Sequence, residues 1–212
     1  MYEDEAWINC HDEDLWLFDK LIIAKRLHYV CGPIGVDVPK SDYYIVRPSM
    51  NCMGMSRGAT IEYIQEDTDN LPLGYFWCEI FNGRHLSVDY KIDNVNRSIT
   101  QDLTVEGFRD KGEPLWKYNR WKRVNDIVPF HEMLLGIKGN YDYINCEYIG
   151  GRLIEVHLRE NSDMGDSDEI IPVWSSESDP VIDEIINPPK GYSFEENEDY
   201  HRLGFYKKIG EI

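Results

Sequence analysis

The sequence predicts an α+β protein, and three observations carry that expectation. Apolar residues recur at helical spacing just after the start and again near residue 130. At least six segments between and after these alternate in the manner of strands. Asparagine- and glycine-rich punctuation separates them.

The first helix is expected from Leu15 to about Val30, capped by Asp12 or Asp14 and stopped by Gly32-Pro33. Leu17, Leu21 and Ala24 form its apolar stripe, widened by Leu15, Phe18 and Ile22. "YYIVRP" (43–48) and "ATIEYI" (59–64) read as strands joined by the loop between them. "GYFWCEIF" and "RHLSVDYKI" flank Asn82-Gly83, the strongest short-range hairpin signal in the chain. Residues 94–126 give a mixed signal, with Trp116 and Trp121 among turn residues. "IVPFHEMLLGIKG" (127–139) reads as a short helix. "YDYINCEYIGGRLIEVHLRE" (141–160) reads as a second hairpin turning at Gly150-Gly151. After Asn161 the chain reads as an extended tail with local structure near "IIPVW" and "RLGFYKKI".

With 42% hydrophobic residues, the 212-residue chain can bury a core, so disorder throughout is excluded. The net charge of −17 is unevenly spread. Residues 1–14 carry six acids and no bases, residues 15–159 carry 19 acids and 18 bases, and residues 160–212 carry 14 acids and four bases. The expected organisation is therefore an acidic segment 1–14, a two-lobed region 15–160 and an acidic extension 161–212. A nearly neutral middle can host an anion, whereas the acidic ends give solubility or contact a partner. No basic stripe suits a nucleic-acid backbone. No stretch approaches the roughly 20 apolar residues of a membrane span. Cys10, Cys31, Cys52, Cys78 and Cys146 are widely spaced and make no C-x-x-C pair, so free thiols in a reducing cytoplasm are expected. The six histidines make no H-x-x-H or H-x-x-x-H pair, which argues against zinc.

Two tracts point to chemistry. In "YIVRPSMNCMGMSRGA" a strand delivers Arg47 to the foot of a loop with Ser49, Gly54, Ser56 and Gly58. Either Arg47 is a solvated strand end, or arginine and loop together hold phosphate. In "LIEVHLR" Ile154, Val156 and Leu158 point one way and Glu155, His157 and Arg159 the other. That row is the solvated face of a half-buried strand or a place for a metal and a phosphate. Glu147 adds a second carboxylate, and Mg²⁺ prefers such oxygens. A two-residue turn at Gly150-Gly151 would set Glu147 opposite Ile154, on the apolar face. An odd-length loop is therefore expected, because only that puts Glu147 opposite Glu155. Lys20, on an exposed helix face, and Glu79, on an edge strand, read more readily as solvated charges than as site residues. His85, beside the turn, reads as a surface residue, and His28 and His131 as packing or capping residues. The tryptophans at 16, 77, 116, 121 and 174 read as core.

The order of these tracts resembles the ATP-grasp superfamily in a reduced form. The resemblance rests on "FDKLIIAKRL", "YIVRP", "SMNCMGMSRGA", "CEIFNGRHLSVDYKI" and "NCEYIGGRLIEVHLRE", and covers about Asp19 to Arg159. The same tracts resemble proteins of tailed phages of marine bacteria. The resemblance implies an ATP-grasp fold of antiparallel sheets with flanking helices. It also implies an ATP- and Mg²⁺-dependent ligase joining a carboxylate to an amine or thiol through an acyl phosphate. Lys20 and Arg47 would contact ATP phosphates, and the loop with Ser49, Gly54, Ser56 and Gly58 would close over them. Glu79 would sit near the adenine or ribose. Glu147, Glu155 and His157 would form the metal site, and Arg159, with Arg47, would act on the acyl phosphate or substrate carboxylate.

Two departures from the family pattern matter. Arg47 replaces a lysine, and His157 replaces an asparagine whose oxygen is the better Mg²⁺ ligand. Family members also carry an N-terminal substrate domain, and only about 14 residues precede the first helix here. A partner subunit, as in a homodimer, or a large docking substrate would then complete the acceptor site. The alternative is an interaction protein on a degenerate ATP-grasp fold, its acidic ends binding a basic partner.

Overall fold

The computed structural model describes residues 3–50, 57–175, 187–199 and 201–209. Two antiparallel sheets organise them. The smaller has the order β1-β4-β2-β3, with β1 Cys31–Pro33, β2 Asp42–Pro48, β3 Thr60–Ile64 and β4 Tyr75–Glu79. The larger has the order β11-β12-β10-β7-β6-β5-β8-β9. Its strands are β5 His85–Asp93, β6 Ser98–Phe108, β7 Arg120–Arg123, β8 Tyr143–Ile149, β9 Arg152–His157, β10 Glu169–Trp174, β11 Tyr192–Asp199 and β12 Arg202–Lys208. Among the described residues no helix is long and apolar enough to cross a membrane.

The helices are shorter than the periodicity predicts. Glu3–Ile8 forms α1, and the stretch expected as one helix from Leu15 divides at Asp19. Asp12–Phe18 winds as a 3-10 helix. Asp19 is extended and its carboxylate accepts from the N–H groups of Leu21 and Ile22, so it caps a second helix, α2 (Lys20–Arg26). The division gives the segment two apolar faces. Leu17, Phe18 and Ile23 pack into the main core on the larger sheet, with Val88, Ile144, Cys146 and Val156, while Ala24 and Leu21 pack on Phe76 and Cys78 of the smaller sheet. The second expected helix contracts to a 3-10 turn, Glu132–Gly136, capped by the His131 ring.

Asn82-Gly83 does not turn a hairpin. β4 pairs with β1 and β2, whereas β5 pairs with β6 and β8, so this dipeptide carries the chain from one sheet to the other. Gly83 has φ +130°, and a Cβ there would lie 2.7 Å from Gly150 Cα. The glycines let the crossing lie flat against the β8–β9 turn, where Gly150 N donates to Arg84 O at 3.0 Å.

The segment beyond residue 160 joins the larger sheet through β10, β11 and β12. Met164, Ile170 and Phe205 are buried with Leu103 and Val105 in a core cluster of their own. Both tracts expected to hold local structure there are strands.

Candidate functional site

The polar face of the larger sheet is built by alternation. His85, Ser87 and Asp89 of β5 share it with Asn145 and Glu147 of β8 and with Glu155 and His157 of β9. The opposite face carries Val88, Tyr90, Cys146 and Val156 into the main core.

The β8–β9 turn corrects the expected odd loop. Ile149 pairs with Arg152, so the turn is the two-residue Gly150-Gly151, with φ +56° and +78°. The odd residue lies inside β9 instead. Tyr148 pairs with Leu153 and Glu147 with Glu155, leaving Ile154 as a β-bulge. Glu147 thus stays on the polar face opposite Glu155, by a route the turn chemistry does not reveal.

Two cations reach this strand from outside the larger sheet, Lys20 from the start of α2 and Arg47 from β2. Lys20 Nζ lies 3.2 Å from Glu155 Oε2, with both side chains buried. It is neither solvated nor directed to open space. Arg47 Nη2 donates to the bulged Ile154 carbonyl at 3.0 Å, and its guanidinium lies 5.3 Å from the Phe76 ring centroid. Arg47 is 7% exposed, and its Nε is buried with no hydrogen-bond partner. An unsatisfied buried donor of this kind suits an anion. The reading of Arg47 as a solvated strand end is therefore corrected.

The carboxylates continue into a row of imidazoles. His157 Nε2 lies 3.7 Å from Glu147 Oε1 and 3.5 Å from Glu155 Oε1. His85 Nε2 lies 3.1 Å from Glu147 Oε2, and its Nδ1 hydrogen-bonds the Tyr118 hydroxyl. Burial alone would raise the Glu147 carboxyl. Hydrogen bonds from His157 and His85, with their charge, outweigh it and hold the group well below the ordinary carboxylate range.

His85 is buried and belongs to the site, contrary to its reading as a surface residue. The Trp121 and Tyr118 rings cover it edge-on. Gly107, its cross-strand partner, makes room for them, because a Cβ there would meet both rings at 2.8 Å. The signal that could have found His85 is the alternation of His85, Ser87 and Asp89, the same pattern that singled out β9.

The remaining candidates are less central. Ser49 flanks the loop, with its N–H and hydroxyl directed to Gly74 O at 2.9 and 3.0 Å, and its carbonyl accepts from Lys20 N. Gly58 has φ +71° and lies against the Tyr75 hydroxyl. Gly54 and Ser56 lie outside the described residues. Glu79 anchors β1, with Oε1 accepting from Val30 N at 3.0 Å. Arg159 follows β9 on a half-exposed turn, Nη1 donating to Glu160 O.

Among the described residues no three His, Cys, Asp or Glu side chains are arranged as a metal site. The protein offers two carboxylates instead. Mg²⁺ held that way keeps waters and shares phosphate oxygens, so the donor set fits Mg²⁺ in company with a nucleotide rather than alone.

The fold is similar to that of solved ATP-grasp structures. N5-carboxyaminoimidazole synthetase from Staphylococcus aureus, complexed with ADP, is similar with a TM-score of 0.59 at 11% identity, over 94% of this chain and 69% of that one. A protein from Archaeoglobus fulgidus described as an ATP-grasp superfamily member gives 0.52 at 12% identity, over 92% and 64%. L-amino acid ligase from Bacillus licheniformis gives 0.53 at 9% identity, over 91% and 66%. The chain thus spans less than two thirds of the length of the last two. No family model and no curated protein matches the sequence.

Proposed function

We propose that this protein is an ATP- and Mg²⁺-dependent ligase that joins a carboxylate to an amine or thiol through an acyl phosphate, acting in the cytoplasm. The observation that supports it is the convergence at β9. Glu155 meets Glu147 across the hairpin while Lys20, from the start of α2, and Arg47, from β2 of the smaller sheet, arrive at the same strand. Mg·ATP, when bound, supplies the phosphoryl group that activates the substrate carboxylate. Glu147 and Glu155 hold the metal, with His157 beside them. Arg47 turns its unpartnered Nε to the phosphates, and Lys20 offers them its ammonium. Ser49, Gly54, Ser56 and Gly58 are the further residues assigned to binding them. Glu79 borders the base or ribose, and Arg159 holds the acyl phosphate or substrate carboxylate. Positive charge fixed on buried side chains such as Lys20 and Arg47 stabilises a transferring phosphoryl group without reorganising during the reaction.

The test is thermal unfolding with and without Mg·ATP, repeated with Glu155→Gln. A ligand at about 100 times its Kd adds roughly 2.7 kcal/mol to the folded state, which moves the melting temperature visibly. A rise in the wild type that shrinks in the variant is expected. No rise in either would sink the proposal.

A second reading has its own observation. Glu155 already has a buried counter-ion, and no three-residue metal group stands among the described residues. The fold would then serve as an interaction protein whose acidic surface binds a basic partner. In that case reversing the exposed Glu195, Glu196 and Glu198 to lysine abolishes capture of a basic protein, and Mg·ATP leaves the melting temperature unchanged.

A further inference from the structure

We infer that Cys31 and Cys78 form a modification site: they close an intramolecular, reducible disulfide when the protein meets a small-molecule disulfide oxidant such as oxidised glutathione. The two are direct cross-strand partners on β1 and β4, and both side chains lie in the same apolar cluster with Ala24 and Phe76.

The type of pairing matters. Glu79 N donates to Val30 O at 2.8 Å, so the neighbouring pair Cys31/Cys78 is the kind without mutual backbone hydrogen bonds. Such pairs bring Cα atoms to about 4.5 Å, inside the range of about 4.4–6.8 Å that a disulfide spans.

The register cannot slip to separate the sulfurs. Trp77 lies across Gly32, where a Cβ would meet its ring at 2.7 Å, and Trp77 Nε1 donates to Val36 O at 2.8 Å. Glu79 adds its second bond to Val30 through Oε1. Three contacts outside the thiols therefore fix which residue faces which.

The chemistry closes without another reactant. Cys31, half-exposed where Cys78 is buried, attacks first as its thiolate. It displaces one glutathione thiolate and forms a mixed disulfide. Cys78 then attacks the Cys31 sulfur and displaces the second glutathione. The two cysteine protons leave with the two glutathione thiols, and the two electrons reduce the oxidant. Burial raises both thiols, Cys78 up to about 12, and Lys25 offsets part of the rise at Cys31. The reaction is accordingly slow, and Cys31 is the entry sulfur. Cys10 and Cys146 lie on the larger sheet's side of the molecule, in or against its core.

The test incubates the folded protein with oxidised glutathione, alkylates what remains and maps the peptides. The expected product joins the Cys31 and Cys78 peptides. It is lost in Cys31→Ser and in Cys78→Ala, returns to free thiols with dithiothreitol, and persists in Cys10→Ser. Separate alkylation of both residues overturns the inference. So does a glutathione adduct at Cys31 that never resolves, or a link between other cysteines. Because the readout is a covalent link, its failure is distinct from a failure of nucleotide binding.

Discussion

Glu147 and Glu155 face each other across β8 and β9 because Ile154 is bulged out of the ladder between them. The same bulge exposes the carbonyl that Arg47 grips. One extra residue in a strand thus sets both the carboxylate pair and the docking of the smaller sheet onto it.

Lys20 and Glu155 are both buried, so removing one leaves an uncompensated charge. Lys20→Met should cost about 3–5 kcal/mol of stability. Lys20→Met with Glu155→Gln should recover most of that loss. Urea denaturation of the two variants measures the difference, and equal losses would mean that the pair is not coupled.

His85 should matter to Glu147 more than to the core. With His85→Leu the Glu147 carboxyl loses one of the groups that hold its pKa down, so its titration moves up. A depressed carboxyl contributes stability that is present above its unfolded pKa and is lost as pH falls through the folded one. The variant should therefore lose that contribution at a higher pH than the wild type does. Carboxyl NMR titration of Glu147 reads the shift directly.

Asp89 has the opposite sign. Burial raises its carboxyl to about 6, against hydrogen bonds from Asn145 and from the Asn161 N–H that pull it back. The group binds its proton more tightly in the folded state. Its help to folding is therefore complete below about pH 4 and gone once pH has risen past about 6. Asp89→Asn should flatten the stability profile across that window by up to ~3 kcal/mol. Denaturation at stepped pH checks it, and parallel profiles would refute it.

Gly150 and Gly151 share a turn but not a fate. Both have positive φ, yet a Cβ at Gly150 would sit 2.1 Å from Asn82 O, while Gly151 faces open space. Gly151→Ala should cost on the order of 1 kcal/mol, the strain of φ alone. Gly150→Ala should cost several times more, because the chain crossing between the sheets must move. Paired thermal melts separate the two.

Much of this was legible in the sequence. The strands at 43–48 and 59–64, the β8–β9 hairpin and the polar row Glu155–His157 follow from alternation and turn residues, which are local. What was missed is tertiary. Asn82-Gly83 has hairpin chemistry, but its flanking strands found partners in different sheets. The bulge at Ile154 has no signature in residue type, and without it a two-residue turn sets Glu147 opposite Ile154 on the apolar face. His85 reads as exposed because it follows turn residues, and the rings of Tyr118 and Trp121 that lie over it come from distant sequence.

The last strand of the larger sheet, β11, ends the order on one side, with Glu195, Glu196 and Glu198 exposed along it. Among the described residues no strand pairs with its outer edge, and an uncovered edge is a template on which another chain can polymerise. Two copies meeting there would bring rows of carboxylates against each other, and the repulsion would grow as ionic strength falls. Acid along β11 would thus act as a barrier to self-templating at the outermost described edge of the larger sheet.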